Sequence, residues 1–280
     1  MPVHIIDPQS KSDCQELISR IKGTLSAVKP SILGRVTHYP KPFLQNDTYI
    51  FEQLTPAVMS NGTKYYLLKP HLPALKVILF GYDIGRTAAL SDSVINALFL
   101  TQIQPLRIPS KIKLERKLLW IRDNAKTFLK IQRSHGSVWH FLEANLGGTP
   151  FNHAHGCFIH PNDDRLIKYL TALSSKYKLS GVGQAICCEF FNSIGIDEFK
   201  PDRHTIRFLN RVGILKSRST DQARQVGITI AKTLGQPRKY VDSHIWVFCA
   251  DGEGEICTEN NPRCHVCQLK NQQLQLCQGY

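Results

Sequence analysis

The chain has 280 residues, 42% of them hydrophobic, which is long enough for one large domain or two lobes and too apolar for a disordered protein. Its 35 Lys and Arg against 22 Asp and Glu give a formal charge of +13, an excess that favours a phosphate-rich polyanion and predicts binding that weakens steeply with salt. No apolar run reaches membrane-spanning length, and the opening MPVHIIDPQSKSDCQEL lacks the layout of a signal peptide. These features lead to the expectation of an intracellular protein, in the cytoplasm or nucleoid if the source is prokaryotic.

Residues 13–28 carry an amphipathic stripe of Leu17, Ile18, Ile21, Leu25 and Val28, with Ser12 or Asp13 as candidate cap. Pro30, Pro40 and Pro42 then break the chain. From about residue 50 the spacing is helical, through YIFEQLTPAVMS, SDSVINALFLTQI, KLERKLLWIRDNAKTFLKIQ, SVWHFLEANL and DDRLIKYLTALSSKY. NGTKYYLL and LKVILFGYDI admit a strand reading, but their flanks fit a helix better. The fold class is therefore mainly α. Residues 147–162 read as a polar loop, and its His153, His155, His160 and Cys157 as solvated rather than metal-binding, because no helix fixes their geometry. Trp120, Trp139 and Trp246 fall at helical spacing among apolar residues and read as core.

The stretch from Leu179 to Gly213 carries the strongest signal. Gly181 and Gly183 flank Val182 between two helical patterns, the second running over Gln184–Ile194. Such a turn permits positive φ and a close backbone approach, and the N–H groups opening the next helix can hold a phosphate. Taken alone it is also an ordinary tight turn. Downstream, Lys200 precedes a proline and Asp202 opens a helix near His204. That aspartate is either a plain N-cap or a carboxylate placed for chemistry.

Nine cysteines are present; Cys14, Cys157, Cys187, Cys188 and Cys249 are scattered, whereas Cys257, Cys264, Cys267 and Cys277 cluster. In a reducing compartment the cluster reads as metal ligands rather than disulfides. The residues alone leave zinc and an iron–sulfur cluster both open.

Leu179–Arg211 resembles the hairpin and catalytic-aspartate region of the helix-hairpin-helix (HhH-GPD) DNA glycosylase superfamily. In its endonuclease III branch an L-P-G-V-G-x-K hairpin is followed by V-D-T-H and an N-R pair. The matching residues are Leu179 to Ala185, then Asp202, Arg203, His204, Asn210 and Arg211. The tail, Cys257-x6-Cys264-x2-Cys267-x9-Cys277, is similar to that branch's [4Fe–4S] spacing, with a last gap longer by four. Asp242 would then correspond to a structural aspartate capping the helix that leads into the cluster. The middle of the chain is similar in layout to 3-methyladenine DNA glycosylase I, although the base-contacting glutamate of that family falls near Ala57. Together the matches cover residues 50–280.

The resemblance implies a two-lobed helical fold: an N-terminal segment (1–49) packing with the C-terminal lobe, a helical lobe with the hairpin (50–200), and a C-terminal lobe with the cluster (201–280). The DNA site is expected in the cleft between the lobes. It further implies a monomeric enzyme of base excision repair that acts on double-stranded DNA containing a damaged or modified base, possibly an alkylated one. Asp202 would be catalytic. Lys178, Gly181, Val182, Gly183, Gln184, Arg207 and Arg263 would contact DNA, with Arg211 as a further candidate anchor. The four clustered cysteines would hold a [4Fe–4S] cluster, with zinc as the alternative, pinning the loop Thr258–Arg263. Bifunctional members carry a lysine where this chain has Ala185, so the expected chemistry is monofunctional, with water as nucleophile. The alternatives are a bifunctional glycosylase and AP lyase using another lysine, or a non-catalytic DNA-binding module with a structural metal.

Overall fold

The computed structural model describes residues 6–36, 46–148, 151–161, 164–270 and 277; Pro40 and Pro42 lie outside them. The protein is mainly helical. Its principal helices are α1 (Lys11–Val28), α2 (Asp47–Ser60), α3 (Leu114–His135), α4 (Val138–Asn145), α5 (Arg165–Thr171), α6 (Gln184–Ser193), α7 (Arg203–Arg211), α8 (Thr220–Leu234) and α9 (Arg238–Cys249). The chain divides into two compact units, one of Pro40–Ile196 and one of Met1–Tyr39 with Asp197–Tyr280.

In the Pro40–Ile196 unit, α2 to α6 and several short helices enclose one core around Phe51, Leu54, Phe128, Phe141, Phe190 and Phe191. The segments that admitted a strand reading, 61–68 and 75–84, hold no strand: the first contains the short helix Tyr65–Leu68, the second the end of Leu72–Ile78 and the 3-10 turn Phe80–Tyr82. Two polar side chains, half-buried Asp47 and buried Lys117, tie the long helices together. The Asp47 carboxylate accepts from the Val138 and Trp139 N–H groups at 3.0 and 3.2 Å, so the first residue of α2 caps α4. Lys117 of α3 is fully buried, and its Nζ donates to the Met59 carbonyl at 2.7 Å, to Thr63 Oγ1 at 2.6 Å and to Ser110 Oγ at 2.8 Å. Three acceptors match its three protons, while burial pushes its pKa down to about 8.

The expected polar loop at 147–162 is partly a β-hairpin. Strands β1 (Phe151–Asn152) and β2 (Cys157–Ile159) pair antiparallel, and Gly156 supplies the positive φ of the turn. His160 is not solvated: it is 1% exposed and stacks on Phe191 at 5.3 Å. Of the three tryptophans only Trp139 is core; Trp120 and Trp246 are half-buried.

In the other unit, α1 lays the stripe Leu17, Ile18, Ile21 and Leu25 against a core that includes Phe199, Phe208, Leu209, Val241 and Phe248. Its N-cap is Ser10, whose Oγ accepts from the Asp13 N–H, and not Ser12 or Asp13. Within this core Glu198 and Arg224 are both fully buried and paired at 2.5 Å, with Arg238 Nη1 3.5 Å from the same carboxylate.

Candidate functional site

The hairpin lies in the Pro40–Ile196 unit. Gly181 has φ +71°, and a Cβ there would stand 2.3 Å from the Trp120 ring, so glycine is required by both conformation and space. Asn124 grips the turn from both sides, donating to the Ser180 carbonyl at 3.1 Å and accepting from the Ser180 N–H at 2.6 Å. Asn61 donates to the Gly181 carbonyl at 3.2 Å. Val182 is buried and pins the turn to the core. Gly183 is the exposed N-cap of α6, with no side chain over the first turn, and Gln184 begins the helix. Lys178 donates to the Leu179 carbonyl at 3.3 Å. The result is a rigid turn that presents a helix N-terminus, the positive end of its dipole.

Asp202 lies in the other unit as the N-cap of α7. Its Oδ1 accepts from the His204 N–H at 2.8 Å and the Thr205 N–H at 3.1 Å, while Oδ2 stands 3.3 Å from Lys200 Nζ. The side chain is 14% exposed. Burial pushes its pKa up, but the charges of Lys200 and His204 and the two backbone N–H groups outweigh that, so it lies below the usual carboxylate value. His204 is held below the usual imidazole value, chiefly by burial. The site thus offers a fixed carboxylate, ionised at neutral pH.

The residues after Asp202 support the cysteine-rich tail. Arg207 Nε and Nη2 both donate to the Cys257 carbonyl, at 3.2 and 3.0 Å. Arg211 Nη1 donates to Cys257 Sγ at 3.2 Å and to the Thr258 carbonyl at 2.7 Å. Asn210 donates to the Ile206 and Ser217 carbonyls, closing the end of α7. Cys257, Cys264, Cys267 and Cys277 line one cavity, walled by apolar side chains such as Phe208, Phe248 and Leu269. The Cys249 thiol donates to Cys257, and with Arg211 it holds Cys257 down to about 6 against burial; burial pushes Cys267 up to about 11. Among the described residues, no three or more His, Cys, Asp or Glu side chains form a group that could hold a metal ion.

Arg263 lines a separate polar cavity of about 470 Å³ with Arg203, Arg207 and Asn260. Asp242 does not cap the helix leading into the cysteines. It is the fifth residue of α9 and is buried. The capping carboxylate is Asp197, which accepts from the Arg238 and Lys239 N–H groups at 3.0 Å each. Its distance from α9 in sequence hid that role, since N-cap patterns are local.

A third cavity, of about 390 Å³, lies wholly within the Pro40–Ile196 unit. Glu52, Ala57, Tyr65, Lys76, Tyr82 and Glu189 are among its walls.

No protein-family model matches the chain, and no curated protein does. Among solved structures it is similar to a variant of 3-methyladenine DNA glycosylase I in complex with 3-methyladenine, at 20% identity and TM-score 0.45, over 57% of this chain and 82% of that one. It is also similar to the 3-methyladenine DNA glycosylase I of Staphylococcus aureus, at 20% identity and TM-score 0.45, over 58% and 84%. A further variant of the S. aureus protein has 19% identity and TM-score 0.46, over 62% and 90%.

Proposed function

We propose that the protein is a monofunctional DNA glycosylase that excises a damaged or modified base from duplex DNA. The observation that carries this reading is Asp202, a carboxylate ionised at neutral pH and locked in place by two backbone N–H groups and Lys200. Breaking the bond between C1′ and the base nitrogen sends the electron pair to the base and leaves positive charge on the sugar. A preorganised carboxylate stabilises that charge, and water then adds to C1′ and gives up its proton. A carboxylate held below the usual value is a weak base, so charge stabilisation and water orientation are its work. The rigid hairpin supplies a phosphate clamp that reads no base, in keeping with the net charge of +13. The target base leaves the stack at a cost of roughly a few kcal/mol.

The chain has Ala185 where a Schiff-base lysine would stand. Two results follow for the excision reaction. Product strands break only after heat or alkali, and borohydride added during turnover traps no covalent protein–DNA adduct. A trapped adduct, or nicking without alkali, would establish the lyase reading instead.

For the four cysteines, the [4Fe–4S] reading is favoured by their shared apolar cavity and by Arg211 on the Cys257 sulfur. Cys257, Cys264, Cys267 and Cys277 would hold the cluster, which would serve to brace Thr258–Arg263. Protein made anaerobically is expected to be brown and to contain iron and acid-labile sulfide; colourless protein carrying zinc would refute the cluster.

A further inference from the structure

We propose that the head of α3 carries a second phosphate-binding strip beside the hairpin, in which Arg116 and Lys113, joined by Lys111, hold the duplex backbone next to the phosphate at the hairpin. The choice of duplex DNA as partner rests on the glycosylase reading.

The strip is set by the period of α3. Asn124 and Trp120 of this helix hold the turn: Asn124 through its two bonds to Ser180, and Trp120 through a ring that fills the space a Cβ on Gly181 would need. Residues three or four apart share one helix face. The face that meets the hairpin therefore continues through Arg116 to Lys113, about 6 and 10 Å from Trp120 along the axis. The Arg116 guanidinium lies 5.3 Å from the centre of the Trp120 ring, so one indole both backs the hairpin and carries the cation. A stacked guanidinium keeps its N–H edge for an anion, and a phosphate accepts from two of those donors at once. Lys111, Lys113 and Arg116 are exposed, and none has an acidic partner among the described residues.

The strip is also fixed relative to the hairpin. Asn61 bonds the Gly181 carbonyl, and the next carbonyl along that turn, Gly62, accepts from the Lys111 N–H at 2.8 Å. Buried Lys117 ties Met59 and Thr63 to Ser110. Residues 59–64, 110–117 and 176–184 thus form one block. Besides Lys117, they carry Lys64, Lys111, Lys113, Arg116, Lys176 and Lys178 against the single acid Glu115. The excess charge of the chain is therefore concentrated where the hairpin presents its N–H groups. Such a surface draws in a polyanion and pairs with phosphates on contact, without reading a base.

The test measures the affinity of full-length protein for an undamaged duplex as salt is varied. The variants are Arg116→Gln, Lys113→Gln/Arg116→Gln, and the control Lys11→Gln/Lys232→Gln, which removes two exposed charges of the other unit. Each phosphate contact adds about 0.9 to the slope of log K against log salt. The slope is expected to fall by about 1 in the single variant, by about 2 in the double variant and by less than about 0.5 in the control. At about 0.1 M salt the double variant should bind about 10- to 100-fold more weakly than wild type. An unchanged thermal transition shows that each variant is folded. A double variant whose slope changes no more than that of the control overturns the strip, and base release from a lesion-bearing duplex by the same protein would leave the glycosylase reading standing. The expected loss of slope with no base released from any duplex overturns the glycosylase reading and leaves the strip standing. Absence of duplex binding by wild type at low salt overturns both.

Discussion

Asp202→Asn is expected to lower single-turnover base release by about 10²- to 10⁴-fold while leaving DNA affinity and the fold intact. The separation is possible because asparagine is as good an N-cap as aspartate, so the N–H groups of His204 and Thr205 keep an acceptor. What is lost is the negative charge, and with it the attraction to Lys200 at 3.3 Å. Single-turnover kinetics alongside a binding isotherm separate these effects; wild-type release by the variant would remove Asp202 from the chemistry. The pH profile follows from the same geometry. The folded pKa lies below the ordinary value of 3.8, so ionised Asp202 contributes to stability above that pH, and the contribution is lost as pH falls through the lower, folded value. Between pH 7 and pH 5 no loss of activity should trace to this residue.

Glu198→Gln should be the most destabilising substitution considered, by about 3–5 kcal/mol. Glu198 and Arg224 are both fully buried at 2.5 Å, Arg238 adds a second guanidinium, and Glu198 Oε1 also accepts from the Phe199 N–H at 2.8 Å. Glutamine preserves shape and removes the negative charge that Arg224 and Arg238 share at Glu198. Coulomb attraction inside a low-dielectric core is strong, and so is the penalty of a charge left without its partner. A fall of about 1 M or more in the urea midpoint is expected, measured against Glu259→Gln at an exposed acid as control. Equal midpoints for the two variants would show that the buried cluster does not hold the unit together.

These two residues also show what a sequence discloses. The place of Asp202 at the head of α7 was legible because its signals are local: a proline just before it and a helix just after. The stripe of α1 and the span of α6 were legible for the same reason, since a 3.6-residue period is written into neighbouring positions. Glu198 left no trace, because its partner Arg224 is twenty-six residues away and belongs to no repeating pattern. Asp47 caps a helix ninety-one residues downstream, and Lys117 meets acceptors on a different helix and two loops. Asp197 was missed as the cap of α9 and Asp242 was given that role, although the latter lies inside the helix. The β1–β2 hairpin has strands of two and three residues, too short to show alternation. Arg207 and Arg211 read as DNA anchors, and the contacts that tie both to the Cys257 segment come from tertiary packing.

The central claim is that this chain hydrolyses an N-glycosidic bond, and release of free base tests it most directly. Full-length protein is incubated with duplexes that each carry one of a panel of damaged or modified bases, and the small-molecule fraction is analysed by mass spectrometry. The account predicts that at least one duplex yields a free intact base together with an alkali-labile abasic strand, and that Asp202→Asn yields neither. Tight duplex binding with no base released from any member of the panel would contradict it.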